Sequence, residues 1–157
     1  VSAQPNPGTI ALMEKLDRRI LSLLARDGRM SYTDIGKETG LSTSAAQQRV
    51  RRLEQRGVIK GYTAILDSAE LGLLVTAFVA IKPFDPSQPD DAPDRLQNIE
   101  EIVSCYSVAG EANYLLKVQA PTMAHLESTL GRIRTEAKVS TDTTTVLSIP
   151  FEDRPQI

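Results

Sequence analysis

Capping residues punctuate positions 31–57 so closely that the chain there has room for only one arrangement of helices. Ser31 opens a helix, with Asp34 three residues on as a weak capping box, and Gly40 closes it. Ser42 opens the next helix, which runs to about Arg56 and stops at Gly57. A short helix, a two-residue break and a longer helix are the outline of a helix-turn-helix. Upstream, Leu16–Asp27 reads as a first helix, with Asp17 at the N-cap, Leu16 stapled onto Leu21, and Gly28 as the left-handed closing residue. Leu16, Ile20, Leu23 and Leu24 share one face of it. Downstream, Val58–Asp67 is β-branched and aromatic around Gly61 and predicts a short strand or wing.

On a wheel of residues 42–56, Ala46, Val50 and Leu53 fall within about 60° of one another and face a core. Ser44, Gln48, Arg51 and Gln55 lie opposite, flanked by Gln47 and Arg52, while Arg49 falls at the core edge and is expected to pair locally. Gln pairs bidentately with adenine and Arg with guanine, so the outer face has the chemistry to read double-stranded DNA. Thr43 and Ser44 sit at the helix N-terminus, where free amides favour a phosphate. Arg51, Arg52 and Arg56 lie further along and suit backbone contacts.

Charge supports that assignment once it is divided along the chain. The 157 residues carry a net −2, but residues 16–66 hold ten Lys/Arg against five acids, a net +5. Residues 67–157 hold seven bases against fourteen acids, a net −7. Two modules are implied, of which only the first can approach a polyanion. Cys105 and His125 are the only residues of their kinds, so neither an intrachain disulfide nor the usual zinc constellations can form. No apolar run approaches the ~18–20 residues that span a bilayer, and the N-terminus lacks the pattern of a secretory signal. A cytoplasmic, nucleoid-associated protein without cofactor is expected.

The expected organisation is an N-terminal arm over 1–15, a helix-turn-helix domain over 16–66, a linker over 67–72 and a second domain over 73–157. In the second domain, Leu73–Lys82 reads as a strand, followed by a loop rich in Pro and Asp over 83–94. Arg95–Ile102 reads as a helix, and Val103–Ala109 and Asn113–Ala120 as strands joined through Gly110 and Glu111. Thr122–Glu136 reads as a helix with the stripe Met123, Leu126, Leu130 and Ile133, and Thr143–Ile149 as the last strand. The order βαββαβ predicts a ferredoxin-like α+β unit with two helices on one face of an antiparallel sheet.

LDRRILSLLARDGRMSYTDIGKETGLSTSAAQQRVRRLEQRGVIKGYTAILD and SCYSVAGEANYLLKV resemble the Lrp/AsnC, or feast/famine, family of bacterial and archaeal regulators, over about residues 16–150. That resemblance implies a winged helix-turn-helix followed by an ACT-like (RAM) sensing domain. It implies homodimers that assemble further, with an octamer as the expected size, and an amino acid effector bound between subunits. Matched position by position, the effector contacts would be Gly110, Glu111, Ala112 and Asn113 in the hairpin turn, with Asp142 and Thr144 from the start of the last strand. A glycine turn exposes amides to an α-carboxylate, and carboxylates accept from an α-ammonium. The chain departs from the family in having Asn113 where Asp is usual and Asp142 where Thr is usual.

Plainer readings stand beside these. Gly110 is either a ligand contact or simply the φ > 0 residue of a hairpin. Tyr106 and Tyr114 read as sheet packing, His125 as a solvated helix residue and Cys105 as a small sheet residue with no base nearby. Against an enzyme, the chain has no phosphate loop, metal-ligand spacing or Ser/His/Asp set. RNA binding by the acidic βαββαβ domain lacks the aromatic runs that stack bases. A small-molecule-binding protein, or an architectural DNA-binding protein insensitive to effector, is the alternative to an amino-acid-responsive regulator.

Overall fold

The structure, a computed structural model, describes residues 14–157. Most of the expected N-terminal arm, residues 1–13, lies outside the described residues. The backbone forms two compact units: residues up to Ile65 together with Phe151–Ile157, and Leu66–Pro150. The last seven residues cluster with the first unit.

The first unit holds α1 (Lys15–Arg26), α2 (Tyr32–Thr39) and α3 (Thr43–Gln55). Ile20, Ile35, Ala46, Val50 and Leu53 form its core, so α3 contributes all three residues its periodicity predicts, while α1 contributes Ile20 of the four expected, with Leu24 partly buried beside it. The Ser31 and Ser42 hydroxyls cap α2 and α3, accepting from the amides of Asp34 and Ala45. Gly40 and Gly57 adopt left-handed conformations after the same helices. Gly36 answers to a different constraint. A Cβ there would stand 2.6 Å from the carbonyl oxygen of Leu41, because the turn between α2 and α3 folds back over it.

Two details of α1 differ from expectation. Glu14 occupies the N-cap position without a side-chain cap, and Asp17 lies inside the first turn. At the other end, extended Asp27 closes the helix by donating its amide to Leu23, and Gly28 has no left-handed backbone. The wing strand over 58–67 does not form either. The amides of Val58 and Ile59 bond to the Leu53 carbonyl, and beyond them the chain has no ladder partner among the described residues. Extended backbone becomes sheet only where a second strand supplies the hydrogen bonds. Tyr62 ties this segment to α3 by donating its hydroxyl to Glu54 at 2.9 Å; burial, then Glu54, push its pKa up to about 12.

The second unit begins at a turn capped by Asp67, whose side chain accepts from the amides of Ala69 and Glu70. Then come β1 (Val75–Pro83), α4 (Ala92–Leu96), β2 (Ile102–Ser107), β3 (Tyr114–Ala120), α5 (Met123–Ala137) and β4 (Val139–Thr145). The antiparallel sheet has the order β2-β3-β1-β4, as a βαββαβ unit requires. One residue in two points at the helices: Ala77, Val79 and Ile81 of β1, with Leu116, Val118 and Ala120 of β3, join Leu96, Leu126 and Ile133 in one core. The intervening residues, among them Thr76, Phe78, Ala80 and Lys82 of β1 and Leu115 and Lys117 of β3, form an open face.

Three boundaries shift from the expected ones. The first helix of this unit is Ala92–Leu96 rather than Arg95–Ile102, because Pro93 fits the first helical turn and starts it inside the expected loop. The next strand is Ile102–Ser107 rather than Val103–Ala109, with a bulge between Ile102 and Ser104. The last strand is Val139–Thr145 rather than Thr143–Ile149. Left-handed Lys138 turns the chain directly from α5 into β4, and the apolar alternation that suggested a later strand is exposed, Leu147 at 99%. Within α5, Leu126 and Ile133 are buried while Met123 lies out in solvent.

Candidate functional site

The first site is the outer face of α3. Ser44, Gln48, Arg51 and Arg52 are exposed along it, as are Thr43 at its start and Arg56 at its end, and Gln47 is half-buried. Among the described residues, Arg51, Arg52 and Arg56 take part in no ion pair, so their charge is unspent. Arg49 is different: its guanidinium binds Asp17 and Glu14, each at 2.8 Å, and those bonds raise its pKa further. At the N-terminus the Thr43 hydroxyl lies 3.2 Å from that of Thr33, and Ser44 lies 3.2 Å from Ser42. Hydroxyls and free amides thus gather where α3 would first meet a phosphate.

The second site lies on the open sheet face beside the turn after β2. A cavity of about 220 Å³ is lined by Ala80, Lys82, Glu111, Ala112, Ser140 and Asp142, among others. Lys82 pairs across the sheet with Ser140, and Ala80 with Asp142. The Lys82 ammonium stands 4.0 Å from Glu111, a carboxylate that is 95% exposed. Asn113 points elsewhere: its amide donates to Asp90 at 3.3 Å, from the Pro/Asp loop. Tyr114 also meets Asp90, and its pKa is raised first by burial and then by that bond. Gly110 and Thr144 border neither group. Gly110 has no left-handed backbone, and Thr144 pairs with Phe78 near the end of β4.

Both halves match known domains. Residues 13–54 match the AsnC-type helix-turn-helix domain, and residues 76–156 match the Lrp/AsnC ligand binding domain. Over 145 residues the chain is 50% identical to the HTH-type transcriptional regulator LrpA of Mycobacterium tuberculosis, covering 92% of this chain and 97% of that one. The chain belongs to the Lrp/AsnC family. This Lrp/AsnC regulator is also 37% identical over 133 residues to the leucine-responsive regulatory protein of Escherichia coli, covering 83% of this chain and 80% of that one. Its fold matches that of the feast or famine regulatory protein Rv3291c of M. tuberculosis, solved in complex with L-methionine. The TM-score is 0.89 at 51% identity, over 92% of this chain and 98% of that chain. It is a transcriptional regulator and not an enzyme.

Of the effector contacts expected from the family resemblance, the fold of this Lrp/AsnC chain gathers Glu111, Ala112 and Asp142 around one cavity. It turns Asn113 away and leaves Gly110 and Thr144 outside. Asp142 comes from the middle of β4 rather than its start, since that strand begins at Val139. Sequence reasoning missed Lys82 and Asp90. Lys82 was legible only as an outward residue at the end of a strand, and Asp90 only as part of a polar loop. His125 is not merely solvated, because its Nε2 lies 2.7 Å from Glu101, which also binds Arg132. Cys105 is exposed on β2, and partial desolvation of its thiol raises the pKa. Among the described residues, no group of three His, Cys, Asp or Glu is placed to hold a metal, and no helix is long and apolar enough to cross a membrane.

Proposed function

We propose that this regulator binds double-stranded DNA sequence-specifically by laying α3 in the major groove, and that an amino acid bound in its second domain modulates that binding. Gln47 and Gln48 read base edges, Thr43 and Ser44 anchor a phosphate at the helix start, and Arg51, Arg52 and Arg56 grip the backbone. The observation that carries the reading is the row of exposed arginines on α3, which has no ion pair among the described residues. Residues 67–72 serve as the linker between the two functions. Acting on DNA, the protein belongs in the cytoplasm with the nucleoid.

The working form is a homodimer that assembles further, with an octamer as the expected size. Support comes from the open sheet face, where Phe78 and Leu115 are half-buried and Tyr106 is 51% exposed. Leu147, Ile149 and Phe151 are likewise exposed, in a segment outside the strands where a second copy can pack. Light scattering should return a multiple of the 17.2 kDa chain mass, and a monomer at micromolar concentration would remove the assembly.

For the effector, L-methionine is the first probe, since a relative was solved with it. A thermal-shift screen of the twenty amino acids tests the class, because specific binding raises the melting temperature by mass action. A flat screen together with tight DNA binding would instead favour an effector-insensitive architectural protein, the reading to which Asn113, with its amide turned to Asp90, lends weight.

A further inference from the structure

We propose that Arg29 and Lys60 form a second phosphate-gripping surface beside α3, where the turn between α1 and α2 meets the segment that follows α3. This rests on the DNA-binding reading above and extends its contacts beyond the helix. The two cations come from different parts of the chain, and Tyr62 brings those parts together. Its ring packs on the α1–α2 turn, 3.6 Å from where a Cβ on Gly28 would stand. Its hydroxyl donates to Glu54 of α3 at 2.9 Å. Arg29 follows Gly28 directly and Lys60 precedes Tyr62 by two residues, so both sit beside this junction.

The junction borders the face of α3 already assigned to DNA. Glu54 is three residues past Arg51, and residues at that spacing are neighbours on a helix surface. A major groove is about 12 Å wide, close to the diameter of a helix with its side chains, so whatever flanks a seated helix meets the phosphate strands. Phosphate contacts made there fix the register of the helix on the duplex. The wing strand expected over 58–67 does not form, yet Tyr62 holds that segment in place, with a cation on the flank of α3.

Both charges are exposed, and neither takes part in an ion pair among the described residues. The acids nearby are engaged with other groups. Asp27 accepts from the Arg29 amide at 2.9 Å, Glu54 accepts from Tyr62, and Asp34 is held by the Ser31 hydroxyl and the Lys37 ammonium. The guanidinium of Arg29 and the ammonium of Lys60 therefore stay open to a partner. The net charge of +5 over residues 16–66 favours a polyanion in that place.

The test uses the whole chain and two DNA duplexes, one selected from a random pool by the wild type and one of scrambled sequence, with anisotropy read over a salt series. Arg29→Gln combined with Lys60→Gln should make the slope of log K against log salt shallower by about 1.8 for each protomer seated on the DNA, the value for two lost phosphate contacts. Affinity for both duplexes should fall by the same factor, because phosphates carry no sequence information. Arg95→Gln combined with Lys138→Gln removes two charges from the second unit instead and should leave the slope unchanged. Melting temperatures check that the variants are folded. A wild-type slope in the first pair, while Arg51→Ala with Arg52→Ala flattens it, would overturn the second surface and leave the reading of α3 standing. Equal flattening by the two glutamine pairs would also overturn it, as an effect of bulk charge. A wild type that binds neither duplex would overturn both.

Discussion

The Arg49 guanidinium on α3 lies 2.8 Å from the Asp17 carboxylate on α1, with side chains only 22% and 13% exposed. Glu14 accepts from the same nitrogen at 2.8 Å. The pair sits at the edge of the core formed by Ile20, Ala46 and Val50, so it fixes how far α3 is rotated about its own axis. The aim of Gln48 and Arg51 outward therefore depends on an arginine that faces inward.

Arg49→Met is expected to destabilise the first unit by about 1–2 kcal/mol, since it removes bonds between charged groups that are partly shielded from water. DNA affinity should fall as well, with the salt dependence of binding unchanged because Arg49 neutralises no phosphate. Denaturant melts and fluorescence anisotropy over a salt series measure the two effects. A flattened salt slope would show that Arg49 reaches the DNA.

Arg51→Ala combined with Arg52→Ala should weaken binding to every sequence. The slope of log K against log salt should become shallower by about 1.8, the value for two lost phosphate contacts. Gln48→Ala should leave the slope alone and relax the preference at one base pair by about 1–3 kcal/mol. Unchanged affinity of the double variant at low salt would mean that α3 does not face the DNA in this way.

Gly36→Ala puts a methyl 2.6 Å from the Leu41 carbonyl oxygen, a backbone atom that cannot swing away. The expected loss is about 1–3 kcal/mol, the usual range for overpacking. Gly61→Ala makes a fair comparison, because nothing lies within 4 Å of a Cβ there, and it should be close to neutral. Equal melting temperatures for the two variants would refute the close approach.

Glu101 sets an acid limb on stability. The His125 hydrogen bond, then its own backbone amide, then Arg132 hold this carboxyl below its ordinary value of 4.5. A group depressed in the folded state contributes stability above its unfolded pKa and loses it as pH falls through the folded one. The contribution is thus complete at pH 7 and fades on acidification below about 4.5. Glu101→Gln should lower stability at neutral pH and narrow the gap between neutral and acid. Urea melts at pH 7 and at about pH 3 would show it, and parallel pH profiles for the two proteins would rule it out.

The legible parts of the fold were those where a residue's own chemistry acts on its neighbours. Ser31 and Ser42 cap by hydrogen-bonding amides three residues on, and Gly40 and Gly57 close helices through a backbone conformation that suits glycine. The core of α3 was equally readable, because Ala46, Val50 and Leu53 recur at helical spacing. Errors fell where two local signals competed. Pro93 read as part of the Pro/Asp loop yet lies in the first turn of α4, and Leu147 and Ile149 mimic a strand although the sheet takes the polar run Val139–Thr145 instead.

By itself, the order of residues determined two modules, their fold classes and the face of α3 turned to solvent, because periodicity, caps and charge are properties of neighbours in the chain. Tertiary structure decided the rest. Strand register set Lys82 diagonally across from Asp142, 60 positions later in the chain, and packing of α3 against α1 brought Arg49 to Asp17. The Pro/Asp loop carried Asp90 to Asn113. Such pairings depend on which backbone lies beside which, and no local pattern records that.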